Sequence, residues 1–336
     1  LPIMDINMHP QGRVASAAGR PNAGIDVSKS HLDGAWLDHT LRVENTATGW
    51  SELIAKLQAD EVDLVVVEAS GGYERGLVCA LHAAGVAVAR VNPRQARDFA
   101  KSLGVLAKSD RLDARVLRDF ADMLARHDKR AQYITVPLQP QRQALAQMVT
   151  RRRQLVEMRV AESNRLEHAD ARAQRSIHAV IKALDKQLGQ LDGDIDAHLD
   201  KHFKEQAQLL DSVKGIGPVT IMSLTALMPE LGKVNRRAAA KLVGLAPMIR
   251  ESGRYKGSRH IVGGRGALRA VIYMATVSAM SHNDAIRTFA QRLRAAGKPP
   301  KVVIVACMRK LLVIVNAMMR DQKTYDAARH LWPKTG

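Results

Sequence analysis

Two strand-like segments of this chain each end in a carboxylate: AGIDVS at Asp26 and VDLVVVEAS at Glu68. A further pair, Asp110 and Asp113, lies in KSDRLDAR, where Ser109 or Asp110 would cap a helix. Spacing of three puts both acids on one face of its first turn. Carboxylate oxygens are hard ligands suited to Mg²⁺, with Mn²⁺ as an alternative. Two such ions about 4 Å apart support an in-line displacement at phosphorus. Taken singly, each acid has a plainer use: Asp26 in a turn, Asp110 as a cap, Asp113 paired with Arg111 or Arg115. Glu68 resists that treatment, because an acid directly after three valines needs a partner or an ion to offset its desolvation. Four acids arriving together at element ends predict a metal site.

The second chemistry is recognition of an anion. Among 336 residues there are 51 Lys plus Arg against 33 Asp plus Glu, a formal charge of +18. With 46% apolar residues, that excess predicts a folded protein with a polyanionic partner and excludes wholesale disorder. Only 4% of residues are aromatic, so phosphate contact is favoured over a grip made mainly by stacking bases. From Arg250 to Lys310, thirteen Lys and Arg stand against Glu251 and Asp284, around the glycine-rich segment ESGRYKGSRHIVGGRGALR. Glycine allows close backbone approach, and Arg254, Lys256, Arg259, Arg265 and Arg269 supply charge-assisted contacts to phosphate. Gly215-Ile216-Gly217-Pro218, between two helical patterns, resembles a helix-hairpin-helix turn whose backbone N–H groups hold a DNA phosphate. A simple connection between helices explains it equally well.

The elements that must position these residues fall into three regions behind a basic tail, residues 1–22, expected to be flexible. Residues 23–138 predict the order β-β-β-α-β-α-β-α, a mixed sheet with helices on its faces. Ribonuclease-H-like folds build a divalent-metal site in this setting, from strand-end acids and a helix-borne pair. HLDGAWLDHTLRVENT reads as a hairpin with an Asp33-Gly34 turn. Residues 139–206 carry Ile177, Ile181, Leu184, Leu188, Leu191 and Ile195 in the a/d rhythm of a coiled coil. That region predicts a helical spacer or dimerisation arm, with Gly189 and Gly193 marking a bend or a turn. Residues 207–336 predict a mostly helical domain carrying the basic segment. Cys79 and Cys307 are too few for a disulfide framework or a cysteine-rich zinc site and fit a reducing cytoplasm. Arg309 and Lys310 interrupt the apolar run Lys301 to Met319, which predicts a buried helix, not a membrane span.

GIDVSK, then VVVEASGGYE, then VNPRQARDFAKSLGVLAKSDRLDARVL resembles the amino-terminal half of transposases of the IS110 insertion-sequence family. LLDSVKGIGPVTIMSLTAL and GLAPMIRESGRYKGSRHIVGGRGALRAVIYMA resemble that family's carboxy-terminal domain, and the likeness ends near YDAARHLWP. The resemblance implies a RuvC-like, ribonuclease-H-type domain with its acid tetrad at Asp26, Glu68, Asp110 and Asp113. It also implies a nucleophilic serine in the E-S-G segment, at Ser252. Ser258 is a second candidate, because this stretch departs from the pattern of relatives that carry additional serines. The implied activity is Mg²⁺-dependent excision and insertion through covalent serine–DNA intermediates and strand exchange. A noncoding bridge RNA would pair with donor and target DNA. A homo-oligomer, a dimer or a tetramer, would bring acids and serine together from different protomers. Two other readings stand beside this one: a RuvC-like Holliday-junction resolvase in which water attacks, and a non-catalytic nucleic-acid binder on a decayed nuclease fold.

Overall fold

In the first unit, Leu1–Pro137, the described residues form the predicted order β-β-β-α-β-α-β-α followed by one more α-helix. The elements are β1 (Asn22–Val27), β2 (His31–Trp36), β3 (His39–Glu44), α1 (Ala47–Ala59), β4 (Leu64–Glu68), α2 (Arg75–Ala83), β5 (Ala87–Val91), α3 (Pro93–Ser102) and α4 (Asp110–Ala125). The computed structural model describes residues 19–105, 110–135, 139–248, 251–252, 255–256 and 260–330, so most of the predicted tail lies outside the described residues. The strands form one mixed sheet in the order β3-β2-β1-β4-β5, antiparallel among β1, β2 and β3 and parallel from β1 through β4 to β5.

Period-two alternation divides the sheet's side chains between two cores. Ile25, Val27, Val65 and Val67 meet Leu53 and Leu57 of α1 and Leu77 and Leu81 of α2. Leu64, Val66, Ala89 and Val91 meet Leu117, Phe120 and Leu124 of α4 on the other face. The continuous apolar run of β4 is what an interior parallel strand, covered on both faces, requires. One expectation fails. The β2–β3 hairpin turns at Leu37-Asp38, with Leu37 at φ +48°, and Asp33-Gly34 lies inside β2. Gly34 is there for space: a Cβ on it would meet Leu53 at 3.2 Å and the Trp36 ring at 3.3 Å.

The second unit, Leu138–Gly336, begins with three helices, α5 (Pro140–Leu166), α6 (Ala171–His202) and α7 (Lys204–Asp211). They are followed by α8 (Pro218–Leu227), α9 (Arg236–Val243), β6 (Pro247–Met248), β7 (Glu251–Ser252), β8 (Tyr255–Lys256) and β9 (His260–Ile261). The last long helices are α10 (Gly266–His282), α11 (Asp284–Ala295) and α12 (Pro300–Asp321). Helices α5 and α6 pair antiparallel: Arg152 meets Asp192 and Arg159 meets Asp185, both at 2.5 Å, one heptad forward on one helix and one back on the other. Gly189 and Gly193 lie inside α6 and do not end it. The reversal comes at residues 167–170, where the Asp170 carboxylate accepts from Arg172 N at 2.9 Å and Ala173 N at 2.8 Å. At the base of the pair, Leu145, Val149, Ile195, Leu199 and Phe203 pack with Met222 and Ala226 of α8. By length and composition α12 could cross a membrane, and its apolar character is accounted for by the core it fills with Val303, Leu311, Leu312 and Val315. Burial there pushes the Cys307 thiol up to about 11.

Candidate active-site residues

Strand register places two of the four acids. Ile25 pairs with Val67 in the parallel β1–β4 ladder, so Asp26 and Glu68, one residue further on, end neighbouring strands side by side. Asp26 shares a face with Gly24, and Glu68 shares that face with Val66, which belongs to the core under α4. The close packing of α4 explains Gly24: a Cβ there would overlap backbone atoms of Ala114, Leu117 and Arg118. At the other end of the contact, Asn22 Nδ2 donates to Asp122 at 2.8 Å. Helix α4 therefore runs antiparallel to β1 and brings its N-terminal turn, with Asp110 and Asp113, toward the strand end that holds Asp26. Asp26, Glu68 and Asp113 are each half-buried, and Asp26 Oδ1 accepts from Val27 N at 3.0 Å. The Asp110 side chain lies outside the described residues.

Among the described residues, no three His, Cys, Asp or Glu side chains are grouped closely enough to hold a metal ion. The chemistry of the donor set nonetheless fits a hard divalent cation, since the strand-end and helix-borne donors are all carboxylates. A fifth acid belongs to the same row and escaped the sequence reading. Asp33 stands opposite Asp26 in the antiparallel β1–β2 ladder and is buried. Its own partner in β3, Arg42, grips it bidentately, Nε to Oδ1 at 2.9 Å and Nη2 to Oδ2 at 2.8 Å. The guanidinium offsets a charge that would otherwise stand uncompensated beside Asp26. A cavity of about 50 Å³ opens there, lined by Asp33, Gly34, Thr40, Leu41, Arg42 and Ala114. Placing the hairpin turn four residues later, at Leu37-Asp38, would have revealed the Asp26–Asp33 pairing from the sequence.

In the second unit the glycine-rich segment contains two short antiparallel ladders. Pro247 and Met248 pair with Ile261 and His260, and further out Glu251 and Ser252 pair with Lys256 and Tyr255. Ser252 is thus at the far end of a β-hairpin, with only Gly253 and Arg254 between it and its partner in sequence. Arg254, Ser258 and Arg259 lie outside the described residues, as do the side chains of Ser252 and Lys256.

Arg265 and Arg269, expected at phosphates, are engaged at the neck of this hairpin. The Arg265 guanidinium donates to both carboxylate oxygens of Glu230, at 2.7 and 2.5 Å, and to Leu227 O at 2.8 Å. Arg269 Nη1 donates to Gly263 O at 2.6 Å and to Val243 O at 3.3 Å. Gly244 (φ +78°) and Gly264 (φ +69°) bring the two chains together so closely that a Cβ on either would overlap the other strand. Gly215, also singled out earlier, has φ +100°, and a Cβ on it would lie 2.6 Å from Ala279 Cα. Its place is a tight contact with α10. Gly217 caps α8 with open space beside it.

Residues 23–169 match a family profile described as Transposase, of the DEDD type of IS110 elements, and residues 207–291 match one described as Transposase IS116/IS110/IS902 family. The pilin gene-inverting proteins of Moraxella lacunata and Moraxella bovis are each 27% identical over 330 residues, covering 91% of this chain and 98% of theirs. A 42 kDa protein of insertion element IS900 from Mycobacterium paratuberculosis is 29% identical over 154 residues, 44% of this chain and 37% of that one. Among solved structures, Thermus thermophilus RuvC in complex with a Holliday junction substrate is 19% identical, with a TM-score of 0.24 and coverage of 32% of this chain and 92% of that one.

Proposed function

The chain belongs to the IS110 family of transposases, and on that premise we propose that it is a bridge-RNA-guided DNA recombinase with a RuvC-like acid site and a serine nucleophile. In this proposal Asp26, Glu68, Asp110 and Asp113 hold Mg²⁺ or Mn²⁺, and Ser252 attacks the scissile phosphate. The observation that carries it is the register that ends β1 and β4 in adjacent carboxylates on the face α4 covers. The sheet order β3-β2-β1-β4-β5 supports the ribonuclease-H-type assignment. A divalent ion bound by these acids would offset charge on the non-bridging oxygens and on the displaced 3′ oxygen.

Ser252 Oγ forms a bond to phosphorus as the P–O3′ bond breaks; the serine gives up its proton and the 3′ oxygen gains one. The phosphoserine ester conserves the bond, so an incoming 3′ hydroxyl can reverse the step and reseal a different strand. Arg254, Lys256 and Arg259 lower the cost of bringing a diester to that hydroxyl. Sequence choice then rests on pairing of the bridge RNA with donor and target DNA. The likeness to proteins named as gene inverters supports strand exchange over cutting alone. On the family resemblance, the acids and the serine are brought together from different protomers of a homo-oligomer, dimeric at least.

Denaturing electrophoresis of a reaction with labelled DNA tests the proposal. The parent should give a retarded protein–DNA band, and Ser252→Ala should lose it while still binding RNA. A band that persists in Ser252→Ala removes the nucleophile from the scheme. Cleavage without any band points to a water-using resolvase, and no cleavage at all to a non-catalytic binder. Glu68→Gln should lower cleavage at least about a thousandfold, and full activity in EDTA would remove the metal.

A further inference from the structure

The turn that follows Glu68 is built to hold an aromatic ring in the open. Gly71 (φ +69°) and Gly72 (φ +105°) adopt conformations that residues with a Cβ rarely reach, and they lift Tyr73 out so that it is 49% exposed. The turn is fixed from both sides. Gly72 N donates to the carboxylate of Glu74 at 2.9 Å, and that buried carboxylate meets Arg90 at 3.5 Å. From the other side, Asn45 Nδ2 donates to Tyr73 O at 3.2 Å and to Ser28 O, two residues past Asp26, at 2.9 Å. The Trp50 indole N–H orients that amide by donating to Asn45 Oδ1 at 2.7 Å. One asparagine thus ties together the loops that leave both acid-bearing strands.

Asn45, Trp50, Glu74 and Arg90 fix the turn that carries this exposed ring, and a ring on a turn already held in place offers a face on which a base can stack. The chain has only twelve Phe, Trp and Tyr residues to spend. Of the other exposed tyrosines among the described residues, Tyr133 meets the His127 ring edge-on at 5.4 Å, and Tyr273 belongs to the second unit. Tyr73 alone of the three stands at the strand end where the acids are. In sheets of this kind ligands bind beyond the carboxyl ends of the parallel strands. We propose that Tyr73 is a base-stacking contact: its ring receives a nucleobase, unstacked from its neighbours, of the DNA strand that passes the carboxylates. The preset turn means that little ordering entropy is lost when the base docks. This rests on the acid site being the place of cleavage.

The test is binding, in EDTA, of a single-stranded DNA 12-mer carrying 2-aminopurine at successive positions, with the full-length protein. The parent should quench the fluorophore at one or two adjacent positions. Tyr73→Ala should lose the quench and bind about tenfold more weakly, the cost of one lost base–aromatic stack. Tyr73→Phe and Tyr73→Trp should restore both, which a requirement for the hydroxyl or for folding alone would not produce. Parent-like quenching and affinity in Tyr73→Ala would overturn the proposal, and so would a quench seen only in the matching RNA 12-mer. Glu68→Gln should keep the quench while losing cleavage, so a failure of the acid site and a failure of the stacking contact give different results.

Discussion

Asp26 and Glu68 are fixed on neighbouring strands of a five-stranded sheet in which each neighbour is set by register, with α4 pressed onto β1 at Gly24. Ser252 belongs instead to a two-residue ladder near the end of a hairpin whose neck is closed by Gly244, Gly264, Arg265 and Arg269. The difference follows from the chemistry proposed for each. Metal ligands lose affinity when displaced by fractions of an ångström, so they belong on packed strands. A nucleophile that must reach a strand and then release it is better carried on a projecting hairpin than on the sheet itself.

The sharpest way to break this comparison is through Gly24. Gly24→Ala puts a methyl group into the backbone of α4 and should cost about 3 kcal/mol or more, at the upper end of overpacking effects. The melting transition of the first unit should fall by roughly 10 °C or more. Gly217→Ala, which adds the same methyl group in open space, should leave the second unit's transition within about 2 °C of the parent. Equal melting points in Gly24→Ala and the parent would show that α4 does not press on β1 and so does not carry its acids to Asp26.

A smaller effect is expected at the hairpin neck. Arg265→Met leaves the Glu230 carboxylate without its bidentate partner and should cost about 1–2 kcal/mol of stability. Because the serine ladder lies far out on the arm, covalent adduct formation should fall more than DNA affinity does. A charge-reversed pair, Arg265→Glu with Glu230→Arg, should recover part of the loss. An equal fall in both measurements would place Arg265 at a phosphate, as the sequence alone suggested.

What could be read from the sequence divides along the same line. The sheet was legible because Val-Val-Val and the alternating segments state their own period, and an acid at a strand end is conspicuous. Asp33 was not, because Asp-Gly is a strong turn signal, and the ladders to β1 and β3 on either side make it a strand residue. The α5–α6 reversal was hidden for the opposite reason. Its signal is one capping aspartate in a polar run, while Gly189 and Gly193, the usual breakers, are carried inside α6 by the helix pairing around them. For Arg265 and Arg269 the sequence shows only charge density, which does not say which cations also have a partner within the protein. Glu230 and two glycine-rich crossings supply those partners from distant positions.

The mildest prediction concerns acid. His82, in the last turn of α2, has its ring Nε2 3.2 Å from Thr135 Oγ1, and burial holds its pKa below the usual histidine value of 6.5. The folded first unit therefore keeps this ring neutral where the unfolded chain would already bind a proton. Unfolding takes up that proton as the pH drops through 6.5, so stability present above 6.5 is lost progressively until the folded pKa is reached and then levels off. The first unit's melting point should fall over this interval. His82→Gln, neutral at every pH, should flatten that portion of the curve and leave the second unit's transition unchanged. If the slope survives the substitution, the acid sensitivity belongs to groups other than His82.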